Sequence, residues 1–364
     1  MPYVFTPTLD SLLKHLSSDF KDQAKHALFH ESVMGSLVLR EQIARQLADA
    51  KVKCSAEEII ITSGCQEAIS CTLRSICRVN DIVAVESPGF HGVIHILKAL
   101  GIKVLEVPSD PVHGINLETL EISLSKYKIA AVIVNPTNNN PLGFSMSSER
   151  RHRLLKLAIA HDFYIVEDDT YGDLSFSYPR PRAIASFDVC GRVILCGSFS
   201  KTLAPGLRIG WVKPGPLYQL ILHEKYISSG SSFTAAQKAI AKIMQKGDYQ
   251  AHLRRMRDRY RQNIAKAKAL LEKHFITPYN VTSPVGGYYL WIELPKGVLA
   301  DDVNRAILDE GVQLASGRVF SVGGDFVSCL RMNCSGNIDY LFEEAVASVS
   351  RAVAKLQSKS LTLL

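Results

Sequence analysis

The chain has 364 residues, of which 47% are hydrophobic and 21% are charged, and its formal net charge is +7 at pH 7. This composition excludes an intrinsically disordered protein, and the length favours two domains over one. Because 35 acidic residues are mixed with 42 basic ones, the charge alone does not indicate a nucleic-acid partner.

The sequence contains no recognisable membrane or export segment. Apolar runs such as 58–62 and 130–134 are short and bounded by polar residues, so none could span a bilayer. Residues 1–7 lack the basic stretch and long apolar run of a secretory signal, and we expect a cytoplasmic location. The eight cysteines form no CxxC pair, which predicts buried free thiols and no metal site.

The first two-thirds of the chain alternate between helical and strand patterns. Apolar periodicity predicts helices over 9–27 and 37–50. Further along, it predicts strands at 59–61, 82–85, 104–107, 131–134 and 163–166, and helices at 66–77, 91–100, 147–161 and from Leu117. Apolar strands separated by helices indicate βαβ units and a mainly parallel sheet covered by helices on both faces. We assign this α/β domain to residues 51–250.

The remainder of the chain has a different pattern. Helices are predicted at 214–227 and at 233–274 with a break near Gly247, followed by a strand at 287–294, a helix at 300–310, short strands near Val312 and at 329–333, and a closing helix at 338–356. Strands mixed with flanking helices favour a smaller α+β domain. We assign it to residues 251–364, with residues 1–50 as an N-terminal segment that packs with it.

A loop around Lys201 joins two apolar strand-like runs, 193–196 and 207–212. A lysine amine forms a Schiff base with a carbonyl compound when its pKa is lowered. Ser198, Ser200 and Arg208 are suited to hold a phosphate group through charge-assisted hydrogen bonds. Taken alone, the loop is weak evidence, because serine–lysine pairs and loop arginines are common in ordinary surface turns.

Two other loops follow buried strands. Residues 167–169 are acidic and end a strand, at the edge of an open α/β sheet where ligands bind. Asp168 could pair with a cationic ring nitrogen and Tyr171 could bond to a ring oxygen, although solvated acids also end strands. Asn140 lies in a loop after strand 131–134, where asparagine and proline are also common turn residues.

The loop after the first sheet strand completes the pattern. Gly64, Cys65 and Gln66 open a helix, where free backbone N–H groups suit a phosphate. All four loops can meet along one edge of the sheet. Together they offer a phosphate site, a polar residue for a phenolic oxygen, an acid for a pyridinium and an amine for an aldehyde. The ligand described in this way is pyridoxal 5′-phosphate (PLP).

Over nearly its whole length the chain resembles the fold-type-I PLP-dependent aminotransferases, through the spacing of Asn140 and Asp168 and the Asp-x-x-Tyr and Ser-x-Ser-Lys patterns. The resemblance implies that Lys201 forms a Schiff base with PLP and that Asp168 pairs with the pyridine nitrogen. It also implies that Asn140 and Tyr171 contact the phenolic oxygen, that Phe90 stacks on the ring, and that Arg331 binds the substrate α-carboxylate, with Asn140 also on the substrate side. The residues it implies for the phosphate are Gly64, Cys65, Gln66, Ser198, Ser200 and Arg208.

Within this family the chain is most similar to the aminotransferase-like domain of MocR-type GntR transcription regulators. The similar motifs are 35–40, 198–206 and 284–295. Such regulators carry an N-terminal winged helix, which this chain lacks, so we expect contact with DNA only through a domain missing here. The chain departs from the family at His30, where a tyrosine is expected to reach the phosphate of a neighbouring subunit. The resemblance also implies a homodimer.

Two functional interpretations remain open. The first is an enzyme that transfers an amino group between an amino acid and a 2-oxo acid. The second is a sensor of amino acids, with slow or absent turnover. A basic helix at 252–261 bears on the second, either as a solvated face or as a nucleic-acid contact.

Overall fold

The computed structural model describes residues 6–22 and 31–362. Its large sheet consists of β1 (Ile60–Thr62), β2 (Ile82–Ser87), β3 (Lys103–Asp110), β4 (Gly114–Ile115), β5 (Ile129–Val134), β6 (Tyr164–Asp168), β7 (Val193–Ser198) and β8 (Gly210–Lys213). The spatial order is β1-β8-β7-β6-β5-β2-β3-β4. Neighbours among β2, β3, β5, β6 and β7 pair in parallel, whereas β8 is antiparallel to both its neighbours. The predicted mainly parallel sheet is therefore confirmed.

Helices cover both faces of this sheet. They are α3 (Cys65–Ile76), α4 (His91–Ala99), α5 (Leu117–Lys126), α6 (Ser148–Ala160) and α7 (Tyr218–Ser229). In β5, Ile133 packs in a cluster with residues of α3 and α4, and its neighbour Val132 packs with residues of α5 and α6. Because side chains alternate between the faces of a strand, a strand buried on both sides must be apolar throughout.

The antiparallel strand β8 determines which loops meet. Gly210, its first residue, pairs with Thr62 at the end of β1 and with Ser198 at the end of β7. The loops that follow β1 and β7 therefore lie beside the loop that precedes β8. The predicted strand start at 207 is wrong, because residues Pro205–Leu207 form a 3-10 turn and Arg208 has φ of 50°.

The smaller sheet lies in the last third of the chain. Its strands are β9 (Asn280–Val281), β10 (Tyr289–Glu293), β11 (Ala315–Ser316) and β12 (Cys329–Asn333), all antiparallel in the order β11-β12-β10-β9. Helices α8 (Thr234–Gln245) and α9 (Asp248–His274) precede this sheet in the chain, and α10 (Ala300–Ile307) and α11 (Tyr340–Thr362) pack against it. The smaller α+β unit is confirmed, but the short strand predicted near Val312 lies at β11 instead.

The N-terminal part contains α1 (Thr6–Asp22) and α2 (Leu37–Leu47). The end of the predicted helix 9–27 and His30 lie outside the described residues. Leu39, Ile43 and Leu47 share one buried face of α2, in a cluster that contains Trp211 of the large sheet and Tyr288 beside the small one. The domain boundaries at residues 50 and 250 stay a prediction. None of the helices in the described part of the chain combines the length and apolar character needed to cross a membrane.

Candidate active site

A cavity of about 630 Å³, including the space at its mouth, lies at the carboxyl edge of the large sheet. Its lining residues are Cys65, Gln66, Ile69, Phe90, Asn135, Asn140, Asp168, Thr170, Tyr171, Ser198, Ser200, Lys201 and Arg208. Of the site residues predicted from the sequence, only Gly64 and Arg331 do not line it. The loops brought together by the strand order thus form one site, as expected for an open α/β sheet.

The end of the cavity next to β1 is suited to an anion. Helix α3 begins at Cys65, so the first N–H groups of this helix have no partner inside it. The Ser198 hydroxyl donates to Ser200 Oγ at 2.9 Å, and Arg208 Nη2 donates to the Ser63 carbonyl at 3.0 Å. Gly64 has φ of 99°, and a Cβ on it would lie 2.8 Å from Arg208 Nη2.

The centre of the cavity contains a buried acid. Asp168 Oδ1 accepts hydrogen bonds from the Thr170 N–H at 3.0 Å and from Cys65 Sγ at 3.4 Å. Burial raises the pKa of Asp168, while these hydrogen bonds and the charge of Lys201 act in the opposite direction. Within residues 6–22 and 31–362, no cation forms an ion pair with Asp168. Because a buried charge requires a partner, the site has a place for a cationic ligand atom.

The two acids next to Asp168 in the sequence have different environments. Glu167 lies 3.8 Å from Arg151 and also accepts two backbone N–H bonds. Asp169 forms a buried ion pair with Arg180. These acids contribute to the fold and point away from the cavity, a distinction that the pattern of three consecutive acids could not reveal.

The opposite side of the cavity lies next to a residue of the small sheet, Arg331. Asn140 Nδ2 lies 3.5 Å from the Tyr171 hydroxyl, and Arg331 Nη1 donates to Asn140 Oδ1 at 2.7 Å. The Arg331 guanidinium stacks over the rings of Tyr289 and Phe320, 4.1 and 4.9 Å from their centroids. Among the described residues no acid forms an ion pair with Arg331. This guanidinium is therefore held in place by uncharged groups.

Sequence reasoning missed several residues of the site. Asn135 donates from Nδ2 to the Asp168 carbonyl at 2.6 Å and accepts from the Asn140 N–H at 2.8 Å. Thr170 and Ile69 also line the cavity. Asn135 follows a buried strand directly, and this position at the sheet edge is a signal that could have identified it. Ile69 carries no such signal.

The basic helix predicted at 252–261 belongs to α9. Arg257 is buried and donates from Nε to the Asp173 carbonyl at 2.8 Å, and Arg259 donates to Asn337 Oδ1 at 2.6 Å. Both arginines therefore serve contacts within the chain. Arg254 and Arg255 are exposed.

The residues present fit PLP. Asp168, a buried acid for which residues 6–22 and 31–362 supply no ion pair, suits a protonated pyridine nitrogen. The start of α3, with two serines and an arginine, suits a phosphate, and Lys201 lies in the same cavity. Phe90 supplies an aromatic ring at the wall. No cluster of metal-ligating side chains occurs in the described ranges.

Comparisons with known proteins agree with this geometry. Residues 9–349 match the family model of aminotransferase class I and II. The chain is 42% identical to the uncharacterized HTH-type transcriptional regulator YjiR of Escherichia coli strain K12, over 97% of this chain and 75% of the relative. It is 29% identical to aromatic-amino-acid aminotransferase 1 of Thermococcus litoralis, over 91% of this chain and 80% of that protein.

A solved structure has a similar fold throughout. The α-aminoadipate aminotransferase LysN of Thermus thermophilus, in complex with N-(5′-phosphopyridoxyl)-L-leucine, superposes with a TM-score of 0.91 at 26% identity. The match covers 96% of this chain and 89% of that structure.

Proposed function

The chain belongs to the aminotransferase class I and II family, and on this premise we propose that it transfers an amino group between an amino acid and a 2-oxo acid at the cavity described above. The family, the fold type and the dependence on PLP that the motifs predicted are confirmed. One observation carries the assignment of the site. Asp168 and Lys201 line the same cavity. In the described residues, Asp168 is a buried acid without an ion-pair partner, and no ion pair holds Lys201.

The proposed roles follow from position and charge. When bound, PLP supplies an electron sink for the charge that develops at the substrate Cα. Lys201 would hold the cofactor and move the Cα proton as a general base. Asp168 would keep the ring nitrogen protonated, because an anion stabilises that cation in a buried site.

The other residues would bind and orient. Ser198, Ser200, Arg208 and the first N–H groups of α3 would hold the phosphate, and Phe90 would stack on the ring. Asn140 and Tyr171 would bond to the phenolic oxygen. Arg331 would bind the substrate α-carboxylate through its planar fork of donors, which matches a carboxylate bidentately.

A covalent label tests the assignment of Lys201. Borohydride reduction of the PLP-bound protein followed by peptide mapping should place the label on Lys201, and Lys201→Ala should remove it. Lys213→Ala, which changes a lysine of β8 paired with Glu58 outside the cavity, is the matched control and should keep the label. A label on any other lysine would contradict the assignment.

A second function is supported by the similarity to a transcription regulator, which at 42% identity exceeds that to the aminotransferase described above. In this alternative the same site senses an amino acid, and turnover is slow. Screening amino acids for a spectral change of bound PLP, followed by an assay for the 2-oxo acid product, separates the two. A spectral change without product favours the sensor. The cytoplasmic location stays a prediction.

We also propose a homodimer. The segment near Gly35 gives no support for it, because this segment has partners within its own chain. A Cβ at Gly35 would collide with Ile61, and the Ser36 N–H donates to Gln237 Oε1 at 2.8 Å. The support comes instead from α7, where Leu220 and Ile227 are 54% and 59% exposed on one face.

Sedimentation tests the dimer. Charged substitutions on this face, Leu220→Glu with Ile227→Glu, should shift the protein toward the monomer. Ile122→Glu, at an exposed apolar position on α5, should leave the dimer intact. A wild-type monomer that binds PLP normally would contradict the proposal.

A further inference from the structure

Glu86 is the second-last residue of strand β2 and is buried, with 4% of its surface exposed. It lines a small cavity that adjoins the larger one and shares Phe90, Asn135 and Asp168 with it. Its Oε2 accepts hydrogen bonds from the Asn135 N–H at 2.8 Å and from Asn139 Nδ2 at 3.1 Å. Its other oxygen, Oε1, is buried and has no hydrogen-bond partner among the described residues. The side chain thus has one satisfied and one bare oxygen.

This environment disfavours a charged carboxylate. In the described part of the chain no cation forms an ion pair with Glu86, and a buried carboxylate with a bare oxygen is costly. The acids that line the two adjoining cavities in the described residues are Glu86 and Asp168, so ionisation of both would place two anions near each other. Burial raises the pKa of Glu86 to about 8, against the hydrogen bonds from Asn135 and Asn139, and the charge of Asp168 adds to the rise. The burial of Glu86, its unbonded oxygen and the nearby charge of Asp168 therefore all favour the neutral form of this side chain.

The groups that Glu86 holds lead to both halves of the site. Asn135, whose N–H bonds to Glu86, donates from its side chain to the Asp168 carbonyl at 2.6 Å. The same side chain accepts from the Asn140 N–H at 2.8 Å, and Asn140 in turn accepts from Arg331. Hydrogen bonds therefore connect Glu86, through Asn135, to Asp168 on the cofactor side and to Arg331 on the substrate side.

We infer that Glu86 is a positioning residue of this site: as a neutral acid it fixes the loop of residues 135–140 and leaves Asp168 as the single anion facing the cofactor ring. It acts through Asn135 and Asn139 and does not itself exchange a proton with the substrate. This inference rests on the proposed function.

Substitution by glutamine tests the neutral state. A glutamine at this position can accept both hydrogen bonds through its oxygen, and its NH2 group takes the place of the bare Oε1. Glu86→Gln should therefore bind PLP within about twofold of wild type, whereas Glu86→Ala, which leaves two donors without an acceptor, should weaken binding by about tenfold. Equal losses in both variants would overturn the inference, because the site would then need a charged carboxylate.

The matched control is Glu167→Gln. Both oxygens of Glu167 accept backbone N–H bonds, at 2.9 Å each, and its partner is Arg151. A glutamine amide would face an N–H donor there, so this variant should lose thermal stability whereas Glu86→Gln keeps it. The contrast separates a buried acid with one unbonded oxygen, on β2, from a buried acid whose two oxygens both accept hydrogen bonds, on β6; the two strands lie on either side of β5.

Infrared spectroscopy of the protein without PLP gives a readout that does not depend on activity. The difference spectrum between wild type and Glu86→Gln at pH 7 should contain the carbonyl band of one protonated carboxyl group, and the band should vanish as the pH rises through about 8, the value to which burial raises the pKa of Glu86. Absence of this band at neutral pH would refute the neutral state even if Glu86→Ala fails to fold. Failure of wild type to bind PLP would instead refute the proposed function, and the band alone would then decide the state of Glu86.

Discussion

Three consecutive carboxyl groups at the end of β6 lie in two different environments. In one region, Glu167 and Asp169 are buried against Arg151 and Arg180. In the other, Asp168 faces the cavity and forms no ion pair with any described residue. All three carboxyl groups are withdrawn from water, so burial alone does not distinguish them. The distinction is whether the chain itself supplies the opposite charge.

This difference has a general meaning for reading a buried acid. An acid that its own chain neutralises has a structural role, and removing its partner leaves an uncompensated charge. An acid without a partner keeps a binding capacity for a cation that arrives from outside. Substitutions in the buried ion pairs should therefore lower stability, whereas substitution of Asp168 should lower activity and not stability.

The largest effect is expected from Arg180→Met. Arg180 is only 4% exposed and pairs with Asp169 and, at 2.8 Å, with Asp173. Its removal leaves a buried carboxylate without a partner and should lower the free energy of unfolding by about 3–5 kcal/mol. Chemical denaturation of the protein without PLP measures the loss.

An exposed arginine provides the control for Arg180. Arg153 is 40% exposed and pairs with Glu118 and, at 3.0 Å, with Glu121. Arg153→Met should change the free energy of unfolding by no more than about 1 kcal/mol. Similar losses in both variants would contradict the view that the buried pair is the structural one.

The second effect is expected from Asp168→Asn, which preserves shape and removes charge. The rate of Cα proton removal should fall about a hundredfold or more, about 2.7 kcal/mol, because a neutral side chain does not keep the ring nitrogen protonated. Stability without PLP should be unchanged or higher, since the variant lacks a buried acid that no described cation neutralises. Half-reaction kinetics and denaturation measure the two quantities. A variant that is unstable but reacts at the normal rate would place Asp168 with its neighbours.

The cofactor side could be predicted from the sequence because its residues lie in loops directly after apolar strands. Ser198, Lys201, Asp168 and Asn140 are close to strand ends, and parallel strands bring their carboxyl ends to one edge. The position of a residue directly after an apolar strand therefore predicts that it lies at the active-site edge of the sheet. The antiparallel direction of β8 was not predictable in this way, although it is what brings Arg208 beside Gly64.

The supporting residues could not be predicted for a physical reason. Glu86 bonds to Asn135, 49 residues later in the chain, and Asp169 pairs with Arg180 in a loop without a periodic pattern. Such contacts depend on how the strands are ordered and on which acid turns toward which arginine. The ion pair with Arg180 makes Asp169 part of the fold, although it lies next to Asp168 in the sequence.

The third effect concerns Arg331, which has no acid partner among the described residues and thus resembles Asp168 with the charge reversed. Arg331→Lys should weaken amino-acid binding by about 1.5–3 kcal/mol, because an ammonium cannot reproduce the two-pronged contact with a carboxylate. PLP binding should remain normal. Spectral titration of the PLP-bound protein with amino acids measures the affinity. Equal affinities in wild type and variant would assign Arg331 to structure alone.

The smallest effect is expected at Cys65, whose thiol is one of two donors to Asp168 Oδ1, at 3.4 Å. Burial raises the pKa of this thiol, and the charge of Asp168 adds to the rise, so the group stays protonated and able to donate. Cys65→Ala removes this bond while the Thr170 N–H at 3.0 Å remains, and PLP affinity should fall by about 0.5–1.5 kcal/mol. Cys65→Ser keeps a donor at the same position and should restore the affinity. Fluorescence titration with PLP measures both variants, and an equal loss in Ala and Ser would mean that the thiol acts through its size and not through its hydrogen bond.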